Sequence, residues 1–156
     1  MSEAEKPTIS ASTVLLIRDG AEGLEVFMVV RHHEIDSFSG ALVFPGGKVD
    51  PEDSDARPFC RGAEGLDESA LSHRVAAVRE AFEECGVLLA TDKDGDALID
   101  AARLRGIEDR WRADLAAGKI TIADVCRTEG LILALDKMVN YAHWITPRIV
   151  PKVFDT

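Results

Sequence analysis

The chain has 156 residues, 46% of them hydrophobic and 29% charged. That is the composition of one globular domain and excludes a disordered or fibrous chain. Its net charge is −10, and no Lys/Arg cluster stands out, which excludes a nucleic-acid polymer and an anionic membrane surface as partners but allows a small anionic substrate beside a neutralising metal.

The N-terminal MSEAEKPTIS is polar and acidic. It lacks the basic-then-apolar order of a secretory signal and reads as a short disordered tail over residues 1–11. TVLLI at 13–17 and LEVFMVV at 24–30 are β-rich runs around the turn-forming stretch Asp19–Gly23, which predicts a hairpin with a slightly long loop. Residues 31–40 are polar, and a third short strand at Ala41–Phe44 meets a tight turn at Pro45-Gly46-Gly47. Residues 50–69 carry Pro, Gly and acidic residues without periodicity, as a long loop does.

From Ser69 to Cys85 the spacing predicts a helix with Leu71, Val75, Val78, Phe82 and Cys85 on one face. Glu83 and Glu84 fall about 60° and 40° to either side of Glu80 on the opposite face. Gly86 stands where a left-handed cap would stop the helix. A strand is expected at Val87–Ala90, a turn at DKDGD (92–96) and helix over 97–117. Thr121 is placed to cap a further helix ending near Gly130, and Tyr141–Thr146 alternates like a strand. The longest apolar runs, such as Leu131–Leu135, fall far short of a membrane span. Cys60, Cys85 and Cys126 are odd in number and form no CxxC pair, a pattern of reduced thiols in a cytoplasm.

Three carboxylates within five positions repel one another unless solvent dilutes the cost or a cation removes it. A solvated acidic face is the commonest explanation of such a cluster. The alternative is a hard divalent cation, magnesium or manganese, since Glu80 and Glu84 project one turn apart and Glu83 can reach a second ion or a water. The upstream stretch FPGGKVDPED favours the ion. Its Gly-Gly pair permits close backbone approach, a carbonyl there can join the coordination shell, and Lys48 can meet a phosphate. DKDGD fails as a calcium loop, because glycine is fourth rather than sixth and the twelfth residue is Arg103.

Together these residues resemble the Nudix hydrolase signature, G-x5-E-x7-R-E-U-x-E-E-x-G-U. Arg79-Glu80-Ala81-Phe82-Glu83-Glu84-Cys85-Gly86-Val87 meets its second half, with Ala81 at the aliphatic position. Gly47 opens the first half, with Asp53 where the family has glutamate and 25 residues between Asp53 and Arg79 instead of seven. Such a split box is similar to the subgroup of peroxisomal coenzyme A diphosphatases and their bacterial relatives. SGALVFPGG at 39–47, the helical insert at 97–130 and WITP at 144–147 also look like that subgroup.

The resemblance implies an α/β fold, an α/β/α sandwich around a mixed sheet, over residues 12–156 with insertions at 54–69 and 97–130. It implies Mg2+- or Mn2+-dependent hydrolysis of a nucleoside diphosphate derivative, with coenzyme A or an acyl-coenzyme A favoured. Other nucleotide diphosphates and a non-catalytic binding module are the alternatives. Glu80 and Glu84 would be the main metal ligands, with Glu83 and the Gly47 carbonyl in support. Glu80 or Glu83 would take the proton from water, and Arg79 would pair with Asp53, or with Glu52 beside it. Gly46, Lys48 and Arg31 would face the substrate. His32, His33, His73, His143, Trp111 and Trp144 read as solvated or structural. The family fold also implies strands and a helix beyond Val153–Thr156, from a longer chain or from a partner copy in a homodimer.

Overall fold

The computed structural model describes residues 7–30, 40–147 and 152–156. Arg31, His32 and His33 lie outside the described residues. β1 (Thr8–Thr13) is the centre of a mixed sheet, parallel to β10 (Val153–Asp155) and antiparallel to β6 (Gly46–Lys48). It starts inside the stretch expected to be a disordered tail. Its partner comes from the far end of the chain, and local composition carries no sign of such a pairing.

On its other edge β10 meets residues 144–146. Trp144 and Thr156 exchange two backbone hydrogen bonds, and the Thr146 N–H donates to the Phe154 carbonyl. The strand expected at Tyr141–Thr146 is thus an extended segment with a single bridge, Ile145 to Asp155.

A hairpin forms where one was expected, but its arms are β2 (Ile17–Gly20) and β3 (Gly23–Val26) rather than Thr13–Ile17 and Leu24–Val30, with Gly20 opposite Gly23, so the loop shrinks to Ala21 and Glu22. Gly23, at φ +126°, supplies the backbone freedom that this tight return needs. β4 (Val29–Val30) pairs antiparallel with β5 (Leu42–Val43). Gly46 and Gly47 are strand rather than turn. A Cβ on Gly47 would overlap the Glu80 carboxylate, and one on Gly46 would overlap the Ser12 carbonyl. Both glycines serve close approach.

The expected loop at 50–69 is a 3-10 helix (Pro51–Phe59) followed by β7 (Cys60–Arg61). A helix with three residues per turn leaves no 3.6-residue pattern to detect. Asp67 then caps α1 (Glu68–Cys85), its side chain accepting from the Ala70 N–H at 2.7 Å. Gly86 ends α1 in the left-handed region at φ +70°, as expected. The Val87 N–H still bonds back to the Ala81 carbonyl, so the next strand, β8, begins at Ala90 (Ala90–Asp92) rather than at Val87.

α2 (Ala101–Ala116) starts four residues later than expected, because Leu98 bridges to Thr91 and Asp100 caps the helix. α3 (Ile122–Glu129) follows the sequence reading, with Thr121 capping it and Gly130 closing it. β9 (Leu131–Ala134) centres a second mixed sheet, parallel to β7 and antiparallel to β8.

α1 packs in two directions. Leu71, Val75, Val78 and Phe82 are fully buried in one cluster with Ile107, Ile122, Leu131 and Leu133. Each such side chain contributes roughly 1.5–3 kcal/mol. Ala77 and Ala81 meet Val14 on another face, small enough for β1 and β6 to lie close. Cys85 is only half-buried. This double packing fixes the position of α1 and of the carboxylates it carries.

Candidate active site

Arg79 is almost wholly buried, with its side chain 7% exposed, and every nitrogen of its guanidinium is used. Nε donates to Asp53 Oδ1 at 2.9 Å, and Nη2 donates to Asp53 Oδ2 at 3.1 Å and to the Lys48 carbonyl at 2.7 Å. Nη1 donates to Glu80 Oε1 at 2.9 Å and to Glu83 Oε1, one turn on, at 3.2 Å. Asp50 Oδ2 lies 3.4 Å from Nη2. The planar fork of arginine is suited to such two-pronged pairing, and lysine could not replace it.

Asp53 reaches Arg79 despite its short side chain because the 3-10 helix carries it inward. It is 2% exposed, and its Oδ2 also accepts from the Asp50 N–H at 2.9 Å. Glu52, the possible substitute, is exposed and makes no ion pair among the described residues. Asp50 is the member of this cluster that sequence reasoning missed. DPED at 50–53 held it in view, but only the 3-10 turn brings its carboxylate back to Arg79.

Burial pushes the Asp53 carboxyl up, and Arg79 offsets that only in part. Burial also disfavours the Arg79 charge, yet Asp53, then Glu80 and Glu83, outweigh it and its pKa rises. The guanidinium is therefore a permanent cation. Burial pushes Glu80 up too, and repulsion from Glu83 and Glu84 adds to the rise while Arg79 opposes it. One guanidinium does not balance Asp50, Asp53, Glu80 and Glu83, with Glu84 beside them. The excess charge is negative.

β6 forms the wall beside these carboxylates. The Val14 N–H bonds to the Pro45 carbonyl at 2.9 Å and the Val49 N–H to the Ser10 carbonyl at 3.0 Å. Pairs alternate in an antiparallel ladder, so Gly47 shares its backbone groups with Ser12, while Gly46 and Lys48 turn theirs outward. Accordingly the Gly46 N–H donates to Glu84 Oε2 at 3.0 Å, and the Lys48 carbonyl goes to Arg79. The Gly47 carbonyl, expected to join a coordination shell, faces its strand partner instead. Gly46 presents the outward carbonyl.

Among the described residues, no group of three or more His, Cys, Asp or Glu side chains is arranged to hold a metal ion. The cause is visible in the bonding, since Arg79 Nη1 takes one oxygen each of Glu80 and Glu83. The donor chemistry nonetheless fits a hard divalent cation. It is all oxygen, over-supplied with negative charge, and cradled where Gly47 leaves no side chain.

A cleft of about 160 Å³ opens beside Arg79 and Glu83, between Asp50, Glu52 and the α2–α3 connection at Ile120 and Thr121. The residues set aside as structural make local contacts away from the carboxylates. His73 bridges the Ser69 carbonyl and the Ser10 hydroxyl, Trp111 donates to Glu129, and His143 pairs with Asp155. Cys60, Cys85 and Cys126 are unpaired thiols.

A model of the NUDT19 Nudix domain matches residues 63–156, which include α1 but not Gly46–Asp53. A protein of Schizosaccharomyces pombe described as a probable nudix hydrolase is 28% identical over 88 residues, or 56% of this chain and 25% of that one. The peroxisomal coenzyme A diphosphatase ndx-8 of Caenorhabditis elegans is 35% identical over 74 residues, or 47% of this chain and 25% of that one. The chain spans about a quarter of the length of these curated relatives. The crystal structure of a Nudix hydrolase from Alicyclobacillus acidocaldarius shares the α/β fold, with a TM-score of 0.77 and 29% identity, over 97% of this chain and 68% of that one. With that fold, and with the arginine and glutamates of the signature brought together on one helix end, the chain belongs to the Nudix hydrolase family, in the branch of the NUDT19 Nudix domain.

Proposed function

We propose that this protein hydrolyses the diphosphate linkage of a nucleoside diphosphate derivative with Mg2+ or Mn2+, and that coenzyme A or an acyl-coenzyme A is its favoured substrate. The observation that carries the reading is the unbalanced charge around Arg79, where one buried guanidinium meets Asp50, Asp53, Glu80 and Glu83 next to Glu84. A solvated acidic face would not bury an arginine in order to organise itself. Substrate preference rests on the likeness to a protein named as a coenzyme A diphosphatase.

Glu80 and Glu84 would hold the cation, with the outward Gly46 carbonyl beside them. When bound, the ion supplies neutralising charge for the phosphate oxygens and a more acidic water. Arg79 orients Glu80 and Glu83 through one nitrogen, and Asp53 locks Arg79 from the other side. Glu83, held at one oxygen, keeps the other to position a water or take its proton. The exposed Lys48 ammonium is placed to meet a phosphate. Arg31 remains a proposed substrate contact. Three unpaired thiols keep a reducing, cytoplasmic setting as our reading of location.

The test is product release from coenzyme A, NADH, ADP-ribose and diadenosine polyphosphates, with Mg2+ and then with EDTA. Metal-dependent cleavage of coenzyme A into 4′-phosphopantetheine and 3′,5′-ADP is expected, and Glu84→Gln should abolish it. Unchanged turnover in that folded variant would overturn the metal assignment. Cleavage of another member of the panel would move the substrate and keep the reaction.

A further inference from the structure

α1 ends against its own dipole. Its last turn holds Glu83 and Glu84 but no basic residue, although the C-terminal end of a helix favours cations. The Glu83 carbonyl is one of the terminal acceptors without a helical donor, because the Gly86 and Val87 N–H groups turn back to Phe82 and Ala81. The helical insert supplies what is missing. Arg112 of α2 donates from Nε to the Glu83 carbonyl at 2.9 Å, and its Nη1 pairs with Glu108 one turn earlier. A side chain on Gly86 would come within 2.7 Å of Glu108 Oε1 and 3.3 Å of Arg112 Nη1, so the left-handed glycine also leaves room for this pair.

We infer that Arg112 is a positioning residue for the metal-binding carboxylates, and that the insert belongs to the site for that reason. Glu83 is held at both ends, its side chain by Arg79 and its carbonyl by Arg112. Glu84 follows directly, anchored at its own tip by the Gly46 N–H. Arg112 thus sets the backbone from which both carboxylates project. Glu108 holds the guanidinium in register for that contact.

The inference rests on the reading of this site as a metal-dependent hydrolase, so it is tested with one readout that needs substrate and one that does not. Arg112→Gln, Arg112→Lys and Glu108→Gln are compared with the parent protein for kcat and KM on the cleaved substrate. The same four proteins are titrated with Mn2+ alone, and binding is read from the loss of the free-ion electron paramagnetic resonance signal. Arg112→Gln should weaken Mn2+ binding and lower kcat by about 10- to 100-fold, with KM nearly unchanged. Arg112→Lys should recover part of both, and Glu108→Gln should give a smaller loss of the same kind. Parental Mn2+ binding and kcat in folded Arg112→Gln would overturn the inference. So would a rise in KM alone, which would make Arg112 a substrate contact. If Arg112→Gln does not fold, Glu108→Gln decides by the same two readouts. Weakened Mn2+ binding in the absence of any turnover by the parent would uphold the inference and sink the hydrolase reading.

Discussion

Two charged clusters in this molecule are near mirror images. Around Arg79 one buried cation meets carboxylates from α1 and the 3-10 helix, whereas around Glu129 one anion meets cations from α2. Glu129 accepts from Arg103 at 2.9 Å, from Arg110 at 3.0 Å through both oxygens and from Trp111 Nε1 at 2.6 Å. Its arginines are partly exposed, at 36% and 50%, and Arg103 also lies 3.6 Å from Asp92, so that exposed carboxylate and water share the remaining positive charge. The Arg79 cluster is drier, and its excess is negative. The Glu129 cluster is complete as it stands and joins α2 to α3. The Arg79 cluster is the one we propose to be completed by a divalent cation.

The comparison sharpens into stability measurements. Arg79→Met should cost the most, about 3–5 kcal/mol in urea unfolding, because it leaves Asp53 buried without its partner. A loss below about 1 kcal/mol would mean that the cluster is wet, and would break the contrast. Glu129→Gln should cost less, about 1–2 kcal/mol, since Arg103 and Arg110 can turn to solvent.

The Glu129 pair also has a definite pH signature. Burial raises the Glu129 carboxyl, but the bonds from Trp111 and Arg110, with the charges of Arg110 and Arg103, outweigh it and leave its pKa below the usual glutamate value. The stabilisation it gives is therefore present above the unfolded-state pKa near 4.5, and is lost as pH falls through the lower folded-state pKa. Acid titration followed by Trp fluorescence should show that loss, and Glu129→Gln should remove it. Thr121→Ala, which deletes one half of the α3 capping box, should cost about 1 kcal/mol without touching either cluster. Glu84→Gln comes last for stability, within about 0.5 kcal/mol at an exposed position. It should nevertheless have the largest effect on turnover. A variant that is silent in unfolding and dead in catalysis would separate the two kinds of cluster.

What the sequence made legible follows the range of the interactions. α1, its carboxylate face, the Gly86 cap and the Thr121–Gly130 helix were all readable, because spacing of three or four residues and single capping residues encode them. The pairing of Asp53 with Arg79 was readable through the family signature, although the 3-10 helix that delivers it was not. β1 was misread because its partners Val153–Asp155 and Gly46–Lys48 are remote in the chain. The outward turn of Gly46 in place of Gly47 depends on ladder register, which no local pattern prints. Asp50 joins the site only through that same 3-10 turn.

The pairing of Thr8–Ser10 with Val153–Asp155 has a consequence for how the chain folds. It joins opposite ends of the described chain, so among the described pairings it brings the largest loop-closure entropy and slows any step that requires it. The capped helices and the β7–β9–β8 sheet close over shorter separations, all within residues 60–134. Pulse-labelled hydrogen exchange during refolding should therefore protect the amides of α1 and β9 first and those of β1 last. Since β6 hangs on β1, the wall that holds the tip of Glu84 would be the final piece to arrive.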